Sequence, residues 1–467
     1  MASDLIITEY GLLSSDLHSE ELEQLCEPKV GVQTGPFGSQ LHKKDYVEVG
    51  TPIITVEHLG ENRIRHTDTP YVSDHDKDRL SKYSLKDGDI VFSRVGSVDR
   101  RSLVRKAENG WLFSGRCLRV RVDKNKIDPS FLSYFFGYEG FKNYIKGIAV
   151  GATMPSINTK ILSEIRIFYP SLTEQKAIAH ILGSLDDKIE LNRQMNETLK
   201  AMAQALFKSW FVDFDPVIDN ALAAGNAIPD EFIERAELRK GINKKDHSDI
   251  QNLFPDEFEF TEEMGWIPRG WVVGKYSDLA ELNPQSWNKK SIPKKILYVD
   301  LGNTNNGKID LVVSYSSSEA PSRAKRVLSI DDTIVGTVRP GNRSFAFIHN
   351  KGLTGSTGFA VMKPKEFINR TYIYLGLTQD IVIDYFAHIA DGGAYPAINP
   401  SVVADLECIT PPSRVLEKFD DLAYPLIKKI GENNNYSEIL AKLRDTLLPK
   451  LMSGELRLDE VEILNEL

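Results

Sequence analysis

The chain has only three cysteines in 467 residues, Cys26, Cys117 and Cys408, and none shows CxxC spacing. This excludes a disulfide framework and a zinc ribbon, and it suits a reducing cytoplasm, where the chain is expected to work. No apolar run approaches the ~20 residues that span a bilayer. The start, MASDLIITEYGLL, lacks the basic and hydrophobic regions of a secretory signal, so no membrane is expected among its partners. Positive charge is also short, with a net of −9, which by itself speaks against a polyanionic partner.

Catalytic signatures are missing too. Gly302 to Lys308 has the outline of a phosphate-binding loop, but Ile309 stands where a magnesium-binding Ser or Thr belongs. There is no GxGxxG and no GxSxG elbow. Asn283-Pro284-Gln285-Ser286 lacks the aromatic with which adenine methyltransferases stack a flipped base. His42, His58, His66 and His75 are crowded but lack the spacing of a helical metal site. No catalytic residue and no metal ligand is therefore assigned.

What is present is a repeat. At ~150 residues per domain the length suggests about three domains, and 41% hydrophobic with 26% charged residues is a globular composition. Sliding the chain against itself by 241 positions lays GATMPSINTKILSEIRIFYP (from Gly151) over GGAYPAINPSVVADLECITP (from Gly392). Upstream, LKDGDIVFSRVG matches LSIDDTIVGTVRPG with the offset drifting by two or three residues, as loop insertions would produce. Each half has short strands, then a helical stretch, then a Pro-bounded strand leading into a long helix. Met154 and Tyr395, just before the paired prolines, are candidate apolar contacts, with core packing the preferred reading.

The long helices, expected over 173–211 and 414–452, carry apolar residues in alternating steps of four and three. Leu185, Ile189, Asn192 and Leu199 on the first, with Leu426, Ile430, Asn433 and Leu440 on the second, are the expected pairing residues. More than four heptads of this spacing suggest a coiled coil, the alternative being two amphipathic helices packed separately. The midpoints are Asn192 and Asn433, which an antiparallel pairing would bring together.

Charge is unevenly spread. Residues 94–126 carry a net of +7 and residues 289–351 a net of +6, whereas 212–264 hold −9 and 453–467 hold −4. Basic character at equivalent places in both copies suggests two footprints on a polyanion. Thr34, Gly35, Gly38 and Ser39 form a Gly-rich loop that can approach phosphates, followed by Lys43 and Lys44. Arg94, Arg100 and Arg101 flank a strand end, and Arg339, Asn342 and Arg343 hold the similar place in the second copy. Most of these are expected to contact phosphate, with one base reader per domain.

The phrases TGPFGSQLHKKDY, DGDIVFSRVGS, GATMPSIN and especially PSLTEQKAIAHILGSLDDKIELNRQMNETLKAMAQALFKSWFVDFDPV resemble the specificity subunits of Type I restriction–modification enzymes. The likeness covers nearly the whole chain, and IPRGWVVGKYSDLAEL and LRDTLLPKLMSGELRL extend it through the second half. One departure is that the second helix opens with PPSRVLEKF instead of an EQ-containing phrase, which puts one partner contact in doubt. The resemblance implies an α+β chain with a pseudo-twofold repeat. Two target recognition domains (1–172 and 266–413) would be separated by the two antiparallel helices, with an acidic connector at 212–265 and an acidic tail at 453–467. It implies double-stranded DNA as ligand, each domain reading half of a split site. The partners implied are two modification subunits carrying S-adenosylmethionine and restriction subunits using ATP and Mg, with no cofactor in this chain. A stand-alone DNA-binding protein or a coiled-coil scaffold is the alternative.

Overall fold

The computed structural model describes residues 4–241, 248–288, 290–390 and 396–458, with only the backbone of Ser39 and Ser248. The chain forms two compact units, Met1–Leu191 with Tyr436–Leu467, and Asn192–Asn435.

The first unit opens with a hairpin, Leu5–Thr8 against Gly11–Ser14. His18–Glu21 then pairs with Arg166–Tyr169, the strand that leads into the first long helix. The main antiparallel sheet has the order Val32–Thr34, Cys117–Val120, Ile90–Ser93, Arg101–Leu103. A second four-stranded sheet contains one parallel pairing, Leu112–Phe113 beside Thr51–Ile54. The run IVFS at Ile90–Ser93 is buried along its length, as expected for a strand covered on both faces. Phe92 meets Phe136 edge to face at 4.7 Å. That ring is delivered by the Pro129–Phe135 helix, whose N-terminus is capped by the Asp128 carboxylate.

The second unit repeats this plan. Its hairpin is Phe258–Thr261 with Gly265–Pro268, and Val272–Lys275 pairs with Glu407–Thr410. The main sheet runs Ala280–Leu282, Phe359–Pro364, Thr333–Gly336, Phe345–Phe347. The parallel pairing recurs between Lys295–Val299 and Leu353–Ser356. The same main-sheet order and the same parallel pairing in both halves are the folded form of the sequence repeat, while the second sheets differ in their edge strands. The Gly302–Lys308 stretch is a short turn and hairpin, Thr304–Asn305 with Lys308–Ile309, and has no helix behind it.

The long helices span Leu172–Phe211 and Ser413–Ser453. Leu185 and Leu440 are buried, while Ile189, Leu199, Leu426 and Ile430 are half-buried. In the first unit, Asp186 receives Arg444 at 2.7 Å and Glu174 receives Arg457 at 2.7 Å, an antiparallel order. In the second, Trp210 lies 5.7 Å from Phe419, and Asn433 donates to Asn196 at 2.9 Å. The expected amide pair was Asn192 with Asn433. The bond observed uses Asn196, one turn further along the same face, and Asn196 donates in turn to Asn434 at 2.8 Å.

Two expectations about domains change. The helices do not stand apart as a spacer unit, because Ile178 and Leu182 enter the first core while Phe207, Trp210 and Phe211 enter the second. The stretch 212–265 is more than a connector. It forms helices Asp215–Ala224 and Ile233–Lys240, and Phe214, Val217 and Phe254 join the second core. Its buried acids Asp215 and Asp219 are held by Arg235 and Arg239, so these two carboxylates belong to the packed interior of the stretch and not to an open acidic face. The tail residues 459–467 lie outside the described residues, but Arg457 anchors the start of that tail to Glu174.

Candidate nucleic-acid interface

At one end of the first unit's main sheet three turns meet. Val32–Thr34 runs into the turn 35–38, Ile90–Ser93 into the turn 94–100, and the turn 114–116 leads into Cys117–Val120. Backbone bonds lock them together, from Gly35 N–H to the Cys117 oxygen at 3.2 Å and from Arg94 N–H to the Arg116 oxygen at 2.8 Å. The repeat segment GATMPSIN closes the cluster, since Gly96 N–H bonds the Pro155 oxygen at 2.8 Å and Ile157 N–H bonds the Arg94 oxygen at 3.0 Å. Gly35 is required here, because a Cβ would collide with the Ser114 carbonyl.

The structure therefore brings Thr34, Gly35, Gly38, Arg94 and Arg100 to one end of the sheet, as expected. Thr34, Arg94 and Arg100 are half-buried, and Gly38 is exposed in a left-handed conformation. The side chain of Ser39 lies outside the described residues. Lys43 and Lys44 are exposed on a short turn beyond Gln40, which is pinned by Arg79 at 2.8 Å and Tyr83 at 2.6 Å.

Arg101 is a correction. It is 4% exposed, and its Nε donates to the Ser133 oxygen at 3.0 Å. Strand alternation turns it inward while Arg100 stays at the surface, so it belongs to the core and cannot reach DNA. Burial pushes its guanidinium below the usual range. Met154, expected in the core, is 64% exposed beside Pro155, and Tyr395 lies outside the described residues. Two residues of this face were missed, Arg116 and Phe37, both exposed. Arg116 lies inside the basic run and Phe37 inside the Gly-rich phrase, which is the signal that could have found them.

The second unit builds the same frame. Thr337 N–H bonds the Gly358 oxygen at 2.8 Å, Arg339 N–H the Pro396 oxygen at 2.9 Å, and Ile398 N–H the Thr337 oxygen at 2.9 Å. These bonds match Arg94 to Thr337, Gly96 to Arg339 and Arg116 to Gly358, and the strand register matches Arg100 to Ser344. Arg339 is thus not the counterpart of Arg94. Arg339 and Asn342 are exposed, whereas Arg343 is tied to Asp380 and Asp384 of the Asp380–Ala390 helix, so its charge is already partly matched. In place of the glycine loop there is Asn283 to Trp287. Asn283 brackets Val361 through two bonds, and Trp287 Nε1 donates to Thr354 at 3.0 Å.

Chemically, both ends offer hydrogen-bond donors, cations and small apolar groups, which suit reading and gripping a duplex. Among the described residues no cluster of three or more His, Cys, Asp or Glu could hold a metal ion.

A model of the Type I restriction modification DNA specificity domain matches residues 21–201. The chain is 27% identical over 412 residues to the Type I restriction enzyme HindI specificity subunit of Haemophilus influenzae, covering 80% of this chain and 88% of that one. It is 27% identical over 365 residues to the MjaIX specificity subunit of Methanocaldococcus jannaschii, covering 75% of this chain and 74% of that one. The chain is thus similar in sequence to Type I specificity subunits along most of its length. Its fold is similar to the crystal structure of the Type-I restriction-modification system S subunit from M. genitalium, with a TM-score of 0.57 at 13% identity over 93% of this chain and 96% of that one.

The EQ phrase at the start of the first long helix has a structural role in this chain. Glu174 is buried against Arg457, and Gln175 accepts from the Asp128 N–H at 2.8 Å and donates to the Pro170 oxygen at 3.0 Å. The pair ties helix to domain and does not face outward to a partner. In the second copy Val415 and Leu416 take these places in the apolar core, which explains why PPSRVLEKF needs no EQ.

Proposed function

We propose that this chain is the DNA-recognition subunit of a Type I restriction–modification complex, each half reading one part of a split duplex site. The observation that carries this reading is one frame of turns used twice with different side chains. Arg94 and Arg116 in the first half correspond to Thr337 and Gly358 in the second. A shared frame with different donors is what reading two unlike half-sites requires.

The chain is a non-catalytic component. Methyl transfer would come from two modification subunits holding S-adenosylmethionine, and translocation and cleavage from restriction subunits using ATP and Mg. Exposed apolar residues on the long helices, including Leu191, Met195, Met202, Ile439 and Leu443, support docking of the modification subunits there. The helices would set the unspecified gap between half-sites.

Selection from random duplexes by the assembled methyltransferase tests this, with a bipartite site as the expected product. Arg94→Ala with Arg116→Ala should reduce the salt slope by about two and weaken binding by roughly 10- to 100-fold, with the second half-site unchanged. Selection of no preferred sequence would favour a scaffold instead.

A further inference from the structure

Toward the other end of the first unit's main sheet lies a cavity of about 460 Å³ that the interface does not use. Lys29, Lys82 and Lys86 line it, and all three are exposed. Arg121 and Arg119 form its inner wall. Arg121 is neutralised by a two-bond pair with Asp89, at 2.7 Å for each bond. Arg119 has no such partner. It is 1% exposed, and its Nη2 donates to the Val30 oxygen at 2.6 Å. Its Nε and Nη1 are buried and find no acceptor.

Among the described residues no carboxylate comes within ion-pair distance of Arg119. A guanidinium buried in this way is costly unless an anion meets it. The equivalent strand position in the second half is Val361, which is fully packed, so the fold itself does not demand an arginine there. Burial and the nearby Arg121 push the Arg119 guanidinium down to about 10, which leaves it charged at neutral pH.

We propose that this cavity is a phosphate-binding site, with Arg119 as its buried donor and Lys29, Lys82 and Lys86 as its rim. A tetrahedral oxyanion accepts several N–H bonds at once and supplies the missing negative charge. The phosphate could be free in solution or part of a DNA backbone, and the chemistry at Arg119 is the same. The site does not rest on the DNA-recognition reading, because its first test contains no DNA.

The full chain is melted in chloride and in inorganic phosphate at matched ionic strength, and phosphate is titrated calorimetrically. Phosphate should raise the melting temperature. The surface double variant Lys82→Ala with Lys86→Ala should lose about tenfold in phosphate affinity. Arg119→Leu should abolish the response while melting higher than the parent in chloride; if that variant does not fold, the surface double variant decides. Duplex binding by the double variant identifies the source. A parallel loss assigns a backbone phosphate, and unchanged binding assigns free phosphate. A parent that responds to phosphate no more than to chloride, or a double variant that responds like the parent, overturns the site.

Discussion

The two halves share a strand order but treat one buried acid differently. In the first, the Asp89 carboxylate accepts the Lys86 N–H at 2.7 Å and is bracketed by Arg121. In the second, Asp332 accepts the Ser329 N–H at 2.8 Å, an equivalent turn bond, but Lys363 replaces the arginine and makes no ion pair with it among the described residues. Asp332 Oδ1 is left without a partner. Burial, with Asp331 adding to it, therefore lifts the Asp332 carboxyl to about 6, against the Ser329 N–H and Lys363, which pull it down. The same turn is thus held by a compensated charge in one half and by a strained acid in the other. The planar, forked guanidinium can satisfy both carboxylate oxygens, and a lysine ammonium on a flexible stem cannot.

The largest expected effect breaks the compensated side. Arg121→Ala should destabilise the first half by about 3–5 kcal/mol, because it strands Asp89 in the core. Lys363→Ala should cost under about 1 kcal/mol, as expected where no close pair is broken. Urea melts of both variants check this, and equal losses would erase the contrast.

A smaller effect sharpens the other side. The folded chain holds a proton on Asp332 that the unfolded chain gives up between the ordinary 3.8 and about 6. This group's stabilisation is complete below pH ~4, is lost as pH rises through ~6, and stays lost above that. Asp332→Asn should therefore gain up to roughly 3 kcal/mol at neutral pH and nothing at pH ~4. Parallel melts across that range test it, and a gain independent of pH would show that charge is not the cause.

The smallest effect concerns the helix seam. Asn196 and Asn433 bond each other on an otherwise largely apolar face, which fixes register at some cost in stability. Asn196→Leu with Asn433→Leu should change stability by under about 1 kcal/mol, and upward if at all. It should also relax discrimination between gap lengths in the DNA site. Calorimetry and site selection with varied gaps read the two effects separately.

Much of this was legible in the sequence because it is periodic. The heptad rows gave both long helices to within a residue, since every seam position has to be apolar or paired. Arg444, which breaks the pattern, turns out to be half-buried and paired with Asp186 at 2.7 Å; desolvation lowers its guanidinium, but Asp186 and Asp445 more than offset this and raise it. The repeat was legible because shared packing leaves shared spacing. The side chains at the interface were less so. Arg100 and Arg101 are neighbours of the same type, and only strand pleating sends one outward and the other into the core.

By itself the sequence determined two halves of one fold, two long helices and the absence of any catalytic signature, because these follow from periodicity, repeated spacing and residue type. Only the tertiary structure decided which arginines are free, which are paired and which are buried. It also decided that Asn433 meets Asn196, that the acidic stretch after the first helix is part of a core, and that Arg119 lacks a counter-charge. The physical reason is that each of these depends on what lies across a sheet or a helix seam. Residues far apart in the chain set that neighbourhood, and no local pattern records it.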